Sequence, residues 1–329
     1  MTVFNSGRRQ ALMTGLAPLV GLALPALDAR AQKQYPSKPI HLYVPFAAGG
    51  ESDIIARLVA SKLNETFGYT VMVENYVGVG GNLGAEKALA QPADGYTLLA
   101  ISSAYTGNAA YLKPTFDSIA AIQPIIQLTN QPGMLVVGAN SDVKTLRELI
   151  DKARKAPSRV NYGSAGVGSV GHLMTEWFAS LHGVKLNHIP YKGTSGVVVD
   201  LAGGQIDMLF AGVSGVRAMI KSGKLRALAV SGPNRLADWP DVPTFAEMGS
   251  KFEGRLWHGL VVARDVPTAV VARLNADVGS VLRKPDLVAN LAASAVVPVG
   301  GTPEQFEQLI RADLATWRGI LKEINFKAE

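Results

Sequence analysis

The sequence predicts an α/β fold of two lobes, each a mainly parallel sheet flanked by helices. Short apolar runs alternate with amphipathic helical stretches along almost the whole chain after residue 40, and strand–helix–strand units of this kind build parallel sheets covered by helices. The units are too numerous for one compact sheet, and a looser stretch from Ser102 to Gln131 divides them into two groups. We therefore predict two lobes.

In the first group, glycine-rich turns follow the first two strands and lead into helices, and Asp94-Gly95 turns into the third strand. Ser52 and Asp53 precede a helix whose apolar residues recur at helical spacing, from Ile54 to Leu63. The predicted strands of this group are Ile40–Pro45, Val71–Glu74 and Tyr96–Ile101, and a second helix spans Ala85–Ala90.

The second group repeats the pattern, and a helical C-terminal part follows it. The predicted strands are Met134–Val137, Val160–Tyr162, Leu186–Ile189, Ile206–Phe210, Leu225–Val230 and Leu256–Val262. The predicted helices are Thr145–Ala156, Val170–Leu181, Ser195–Ala202 and a short one around Val216–Ile220, then two that begin near Pro267 and Pro285, and a long one from Pro303 to about Ile324.

Composition excludes several classes of protein. Of 329 residues, 48% are hydrophobic and 18% are charged, which is typical of a globular chain. The formal net charge is +6, but Lys and Arg are scattered in runs of at most two, whereas a nucleic-acid binder concentrates them on one stripe or helix. We therefore predict no nucleic-acid partner. Cysteine is absent, so disulfides and Cys-ligated metal sites are excluded.

The N-terminus has the three parts of an export signal. Arg8-Arg9 precedes an apolar run from Ala11 to Leu27, and Ala29-Arg30-Ala31 forms a small-x-small cleavage site. The apolar run is short for a transmembrane anchor, at roughly 17 residues against the ~20 that a span needs. We predict that residues 1–31 are a signal peptide, that the mature protein lies in the periplasm, and that export uses either the twin-arginine or the general route.

Four glycine-rich loops follow strands and begin helices, and they carry the predicted chemistry. In open parallel sheets ligands bind beyond the carboxyl ends of the strands. A helix N-terminus there offers unpaired N–H groups and a partial positive charge to a carboxylate or phosphate. One such loop alone is usually a plain capped turn, but four indicate an anion site. The loops are Phe46–Asp53, Gly78–Asn82, Gly163–Ser169 and Tyr191–Thr194.

Enzymatic alternatives lack their required residues. Gly166–Gly171 matches the dinucleotide motif G-x-G-x-x-G, but the next strand ends without the acidic residue that holds a ribose. The chain contains no G-x-S-x-G nucleophile elbow and no Cys nucleophile. His172 and Glu176 lie four residues apart without further metal ligands. We therefore predict no catalytic residue, no metal and no cofactor.

Two acidic residues and three aromatic ones have both a structural and a ligand-binding interpretation. Asp53 fits the first helical turn or a cleft position. Asp207 lies in an apolar strand and needs a partner, so it belongs at a lobe edge or faces the cleft. Trp257 and His258 would wall a pocket or fill the core, and His172 would cap a helix or line the cleft.

Several segments, in this order, resemble one family. They are Tyr35-Pro36-Ser37-Lys38-Pro39-Ile40, Val44–Gly50 with Asp53, Val73-Glu74-Asn75 with Gly80-Gly81-Asn82, Asp94–Leu99, Tyr162–Ser169 with His172-Leu173, Pro190–Gly193, and Gly203–Asp207. The chain resembles the tripartite tricarboxylate transporter receptors, also called Bug proteins, over essentially all of its mature length.

The resemblance implies a type II periplasmic binding protein fold that closes around its ligand by a hinge. It also implies a carboxylate ligand, held by Phe46–Asp53 from one lobe and by Ser164–Ser169 from the other. Glu51 departs from the family, which more often has a small or neutral residue there. In the cleft Glu51 would repel a second carboxylate or attract an amine, and in solvent it would have no role in binding. We expect it to face solvent.

The predicted architecture places lobe 1 at residues 32–102 and 232–329, and lobe 2 at 103–231. The hinge segments lie near Ser102–Ser103 and Ser231–Gly232. The predicted ligand-binding residues are Phe46, Ala48, Gly50, Ser52, Asp53, Ser164, Ala165, Gly168, Ser169, His172, Tyr191 and Asp207.

We predict a monomeric receptor that delivers a small organic acid or acidic amino acid to the membrane subunits of a tripartite tricarboxylate-type transporter. The alternatives are a ligand sensor that feeds a two-component sensor kinase and a secreted α/β enzyme.

Overall fold

One long strand joins the two halves of the sheet. The computed structural model describes residues 35–111, 117–252, 254–324 and Phe326, so the predicted signal peptide lies outside the described residues. The strands in this part of the chain are β1 (Ile40–Val44), β2 (Val71–Asn75), β3 (Thr97–Ser102), β4 (Ile122–Gly138), β5 (Asn161–Ser164), β6 (Asn187–Pro190), β7 (Met208–Gly212), β8 (Leu225–Val230), β9 (Arg255–Ala263) and β10 (Val297–Gly300).

Helices flank these strands. They are α1 (Glu51–Phe67), α2 (Asn82–Leu89), α3 (Ser103–Tyr111), α4 (Leu146–Lys155), α5 (Val170–Leu181), α6 (Thr194–Ala202), α7 (Val213–Lys221), α8 (Thr268–Leu282), α9 (Pro285–Ala292) and α10 (Pro303–Glu323). Among the described residues, no helix combines the length and the apolar character needed to cross a membrane.

The sheet is mixed, with parallel strands towards both of its edges. Its order is β2-β1-β3-β9-β4-β7-β5-β6, and β8 and β10 each pair with β4. The pairs β1–β2, β1–β3, β5–β6 and β5–β7 are parallel. Strands β9 and β4 run antiparallel to their neighbours at the centre. The predicted α/β alternation is therefore confirmed, with an antiparallel centre that the sequence pattern did not indicate.

Strand β4 corrects one prediction. The stretch Ser102–Gln131 is not loose, because it holds α3 and the first part of β4. Residues Ile122–Pro132 pair with β9 with two shifts in register, and Gly133–Val137 pair with β7. The two prolines in this run, Pro124 and Pro132, and the register shifts interrupt the alternation of apolar and polar residues by which a strand is recognised.

The ends of five strands position the functional site. Strands β1, β3, β5, β6 and β7 each lead into the N-terminus of the next helix, α1, α3, α5, α6 and α7 respectively. Because β1 and β3 are parallel, α1 and α3 begin at the same edge of the first half of the sheet. Strands β6 and β7 are both parallel to β5, so α5, α6 and α7 begin at one edge of the second half.

Buried apolar side chains hold these strand ends in place. The largest core cluster packs Tyr162 and Phe210 of the second half of the sheet against Phe178 of α5 and Trp317 of α10. Full burial of such a side chain stabilises the fold by roughly 1.5–3 kcal/mol. Helix α10 starts with a capping box between Thr302 and Gln305, which satisfies two backbone N–H groups at that end.

Candidate ligand-binding site

A small cavity lies where these helix N-termini meet. Its volume is about 50 Å³, several times the space that one water molecule needs. Both halves of the sheet line it, and the lining contains neither Lys nor Arg. The lining residues are Phe46, Gly50, Glu51, Ser52, Ser102, Ser103, Ala165, Ser169, Val170, Gly171, Thr194, Leu209, Phe210, Ala211, Leu256, Trp257 and His258.

Hydrogen-bond donors in this cavity lack partners from their own helices. Helices α1 and α6 begin after Gly50 and Gly193, neither of which supplies a capping side chain. Ser103, the first residue of α3, is fully buried, and its hydroxyl has no hydrogen-bond partner among the described residues. Unpaired N–H and O–H groups at helix N-termini favour an anion. The cavity therefore offers donors without a cationic side chain.

Glu51 is the acidic residue of the lining, and it reaches from α1 to α7. Its Oε2 accepts a hydrogen bond from the Gly212 N–H at 3.0 Å, at the position that precedes α7. Its Oε1 accepts from the Gln131 side-chain amide, whose own oxygen accepts from the Ser214 N–H at 3.3 Å. Glu51 and Gln131 thus satisfy the N-terminus of α7 from outside that helix.

The expectation that Glu51 faces solvent is wrong. The residue is only 9% exposed and lines the cavity. Burial raises the pKa of its carboxyl to about 7, and the hydrogen bond from Gly212 offsets only part of this effect. The position of α7 decides this orientation, because an uncapped helix N-terminus lies within reach of the carboxylate.

His258 lies beside Glu51 and is neutral. Its Nε2 is 3.6 Å from Glu51 Oε1 and 3.2 Å from the Ser52 hydroxyl, and its Nδ1 is 3.4 Å from the Thr129 hydroxyl. Burial lowers the pKa of His258 to about 4. Within the described residues, no group of three or more His, Asp or Glu side chains is placed to hold a metal ion.

Two glycines permit the close approach of the two halves across the cavity. A Cβ added at Gly212 would lie 2.4 Å from the Glu51 carboxylate. At Gly193 it would lie 2.7 Å from the Cβ of Ala47. The carbonyl of the next residue, Ala48, accepts a hydrogen bond from the Ser195 hydroxyl. Any larger residue at Gly193 would push the first loop away from the opposite half, and one at Gly212 would displace the Glu51 carboxylate.

Asp53 organises the first loop rather than lining the cavity. It is 2% exposed and accepts hydrogen bonds from the Gly49 N–H, the Arg57 guanidinium and the Asn75 amide, each at 2.8–2.9 Å. Burial by itself would raise the pKa of Asp53, but these three donors outweigh burial and lower it. The carboxylate thus holds the turn Phe46–Gly50 against α1 and β2.

The second loop is also organised by its own side chains. The buried Ser164 hydroxyl bonds to the Gly166 carbonyl and lies 2.6 Å from His188 Nε2. The Gly168 N–H donates to His172 Nδ1 at 3.0 Å. Burial, with the neighbouring His188, lowers the pKa of His172 to about 3, so its ring is neutral and accepts. Ser164, Gly168 and His172 shape the loop but do not line the cavity.

The remaining predicted residues divide between the cavity and other places. Ala48 is exposed beside α6. Tyr191 lines a larger outer cavity of about 540 Å³, which shares Phe46 and Ala165 with the inner one. Asp207 lies outside both linings, bound by the Asn161 N–H at 2.8 Å and by Lys152. Phe46, Gly50, Ser52, Ala165 and Ser169 line the inner cavity.

Sequence reasoning missed several lining residues. Ser103 follows a strand and begins a helix, which is the signal that identified the other loops, but it sits in a segment that was interpreted as loose. Thr194 was recognised as part of a loop and not as a lining residue. Gln131 does not line the cavity but bonds to Glu51 and to the N-terminus of α7, and its place in the bulged strand β4 carries no sequence signal for that contact. Trp257 and His258 line the cavity, one of the two interpretations that the sequence allowed.

Comparison with known proteins assigns the chain to a family. Residues 55–326 match the family model described as the tripartite tricarboxylate transporter family receptor. This chain belongs to that receptor family. It is 34% identical to the UPF0065 protein in the tcbD-tcbE intergenic region of Pseudomonas sp. strain P51, over 98% of this chain and 96% of the relative. It is 32% identical to BugT of Bordetella pertussis, over 96% and 99% respectively.

Solved structures of similar proteins show the same fold. The periplasmic binding protein BugD matches this receptor with a TM-score of 0.86 and 29% identity, over 90% of this chain and all of that one. Rpa4515 of R. palustris, with adipate, matches at 0.84 and 31% identity over 88% and 98%. MatC of Rhodopseudomonas palustris, with bound malate, matches at 0.84 and 27% over 87% and 100%. The receptor therefore has the periplasmic binding protein fold.

Proposed function

We propose that this receptor captures a small carboxylate in the inner cavity and delivers it to the membrane subunits of a tripartite tricarboxylate-type transporter. The observation that carries the proposal is the convergence of four helix N-termini, those of α1, α3, α5 and α6, on one buried cavity that has no basic side chain. Adipate and malate are carboxylates, and two similar structures hold them. The family to which the chain belongs supports the transport partner.

The lining supplies specific donors for the carboxylate. The Ser103 hydroxyl is buried and unpaired, and a buried donor without a partner costs roughly 1–3 kcal/mol that a ligand oxygen would recover. Thr194 and the first residues of α5 add N–H groups from the other half of the sheet. A ligand bound by both halves at once would hold them together, and this is how a two-lobed receptor senses its ligand.

The first experiment measures thermal unfolding of the purified protein with a panel of organic acids at millimolar concentration. A carboxylate that binds the folded state raises the unfolding temperature with its concentration. We expect at least one carboxylate to stabilise the protein, and the corresponding primary amide, which has no charge, to do so much less. Absence of stabilisation by every carboxylate in the panel would refute the proposal.

The second experiment removes the Ser103 hydroxyl. Ser103→Ala should weaken binding of the stabilising acid about tenfold or more, because a hydrogen bond to a charged group is lost. It should leave the free energy of unfolding of the ligand-free protein unchanged or slightly higher, since the hydroxyl has no partner in the protein. Ser280→Ala is the matched control, because the Ser280 hydroxyl bonds to the backbone of its own helix, α8.

The transport role is tested separately. Mass spectrometry of the protein from the periplasmic fraction should show a chain that begins at Gln32, if residues 1–31 are removed on export. Cells that lack the receptor should lose uptake of the stabilising acid and regain it with the wild-type gene. Retention of full uptake would point instead to a sensing role.

A further inference from the structure

We propose that Glu51 restricts the inner cavity to acids with one carboxylate, whose other end is neutral or positively charged and donates hydrogen bonds. This inference rests on the proposed function, because it names the class of carboxylate that the same cavity selects. It starts from the fact that a carboxylate of the chain itself already occupies one of the helix N-termini that meet there.

The site at α7 is filled by the protein. The N–H of Gly212, the residue before α7, donates to Glu51 Oε2. The Ser214 N–H donates to the Gln131 side-chain oxygen, and the Gln131 side-chain amide donates to Glu51 Oε1. The Glu51 carboxylate therefore takes the position in which the second carboxylate of a dicarboxylic acid would be stabilised. A ligand can use only the helix N-termini that remain.

Those remaining N-termini carry no acidic residue. The first turns of α3, α5 and α6 contain no Asp or Glu, and each of these turns contributes residues to the lining. One ligand carboxylate thus has a place that Glu51 does not oppose. Glu51 makes the cavity asymmetric, with unpaired donors on one side and an anionic acceptor on the other.

The position of Glu51 makes the opposition strong. Because Glu51 itself lines the cavity, a second ligand carboxylate held there would lie within several ångströms of it. Two like charges about 8 Å apart at an effective dielectric constant near 20 disfavour binding by roughly one to two orders of magnitude. An amide, hydroxyl or ammonium at the same place would instead donate to the carboxylate.

The neighbours of Glu51 do not neutralise this charge. His258 is the titratable side chain that faces it, at 3.6 Å, and burial keeps that ring neutral because its pKa falls to about 4. The lining contains no Lys or Arg. Burial raises the pKa of Glu51 to about 7, so the discrimination is measured at pH 8, where Glu51 is mostly ionised.

The test compares diacids with their mono-amides by titration calorimetry at pH 8. The pairs run from malonate and malonamate to adipate and adipamate, so that each pair differs only in the charge of one end. We expect the wild-type protein to bind the mono-amide of the best-fitting length 10- to 100-fold more tightly than the diacid. Glu51→Gln should bring that ratio close to one by strengthening diacid binding.

Two further variants make the result unambiguous. Glu65→Gln removes a carboxylate from the exposed face of the same helix, where it pairs with Lys62, and should keep the wild-type ratio. Glu51→Ser also removes the charge, with a smaller side chain, and replaces Glu51→Gln if that variant does not fold. A cooperative thermal unfolding transition establishes that each variant is folded.

The outcomes separate the two proposals. The inference is overturned if the wild-type protein binds a diacid at least as tightly as its mono-amide. It is also overturned if the folded Glu51 variants keep the wild-type ratio of mono-amide to diacid affinity. Either result leaves the proposed carboxylate receptor in place. The proposed function itself is overturned if no diacid and no mono-amide binds either the wild-type protein or the Glu51 variants.

Discussion

Glu51 and Asp53 lie two positions apart at the start of α1, and their surroundings give them opposite properties. Both are buried. Asp53 accepts from three donors, including the charged Arg57, which lower its pKa, whereas Glu51 accepts only from neutral amides, so burial leaves its pKa raised. Burial of a carboxylate is therefore not informative until its donors are known.

The raised pKa of Glu51 predicts a specific pH dependence of stability. The folded state binds a proton more tightly than the unfolded state, so between about pH 4.5 and 7 it holds more protons and loses stability as the pH rises. The contribution of Glu51 is fully present below pH 4.5 and about 3 kcal/mol smaller at pH 8. Urea unfolding of the wild-type protein and Glu51→Gln at several pH values should show their difference changing with this sign. A pH-independent difference would contradict the raised pKa.

Asp53 predicts a loss of stability that does not depend on ligand. Asp53→Ala removes the acceptor of three hydrogen bonds and should lower the free energy of unfolding by about 3 kcal/mol. Asp286→Ala is the control, because this exposed residue pairs with Lys62 and accepts from the Leu287 N–H at the helix surface, and its loss should change stability little. Denaturant titration of the ligand-free proteins measures both, and equal effects of the two substitutions would show that the first loop does not depend on Asp53.

At the scale of the element, the N-termini of α6 and α7 act as contact points between the two halves of the sheet. Both helices begin after a glycine that has no side-chain cap. The Glu51 carboxylate and the first loop pack directly against these glycines. Their small size is therefore needed for the approach across the cavity and not for the backbone conformation, which is extended or ordinary at both positions.

Gly193→Ala tests this contact. Its Cβ would lie 2.7 Å from the Cβ of Ala47, so the first loop must move away from α6, and the affinity for ligand should fall about tenfold or more. Ligand-free stability should change little, since the predicted hinge would let the halves separate and relieve the clash. Gly203→Ala, at the other end of α6, meets only ordinary contacts of 3.5 Å or more and should preserve affinity in the same calorimetric measurement. Equal affinity of both variants would exclude an obligatory contact at Gly193.

At the scale of the whole molecule, the net charge and the hydrogen-bond donors of the cavity are two different sources of affinity for an anion. The chain carries a formal charge of +6, but the lining of the inner cavity contains no Lys or Arg. Interactions with exposed charges are screened by salt over about 10 Å, and buried hydrogen bonds are screened much less. The proposed anion would therefore be held by the ends of helices and not by the surplus of basic residues.

Salt titration distinguishes these two sources of affinity. Raising NaCl from about 50 to 300 mM should change the dissociation constant of the bound acid less than about twofold. A tenfold weakening would show that distant basic residues contribute most of the binding. Sodium sulfate at the same ionic strength separates screening from competition by chloride in the cavity.

Much of the architecture was predictable because it depends on local periodicity. The bounds predicted for α5 agree with the structure, and the helices after Pro267, Pro285 and Pro303 begin as predicted, because apolar spacing and prolines at helix starts are local signals. Strand β4 was mostly missed, since register shifts and prolines remove its alternation. The predicted lobe boundaries and hinge segments remain predictions.

The sequence by itself determined the alternation of strands and helices, the glycine-rich loops and the family to which they point, since these depend on residues near one another in the chain. Only the tertiary structure decided what lines the cavity. Ser103, Thr194 and His258 come from distant segments, and Glu51 is turned inward by a hydrogen bond from the N–H of Gly212, 161 residues further along the chain. Packing sets such contacts, and no local pattern records them.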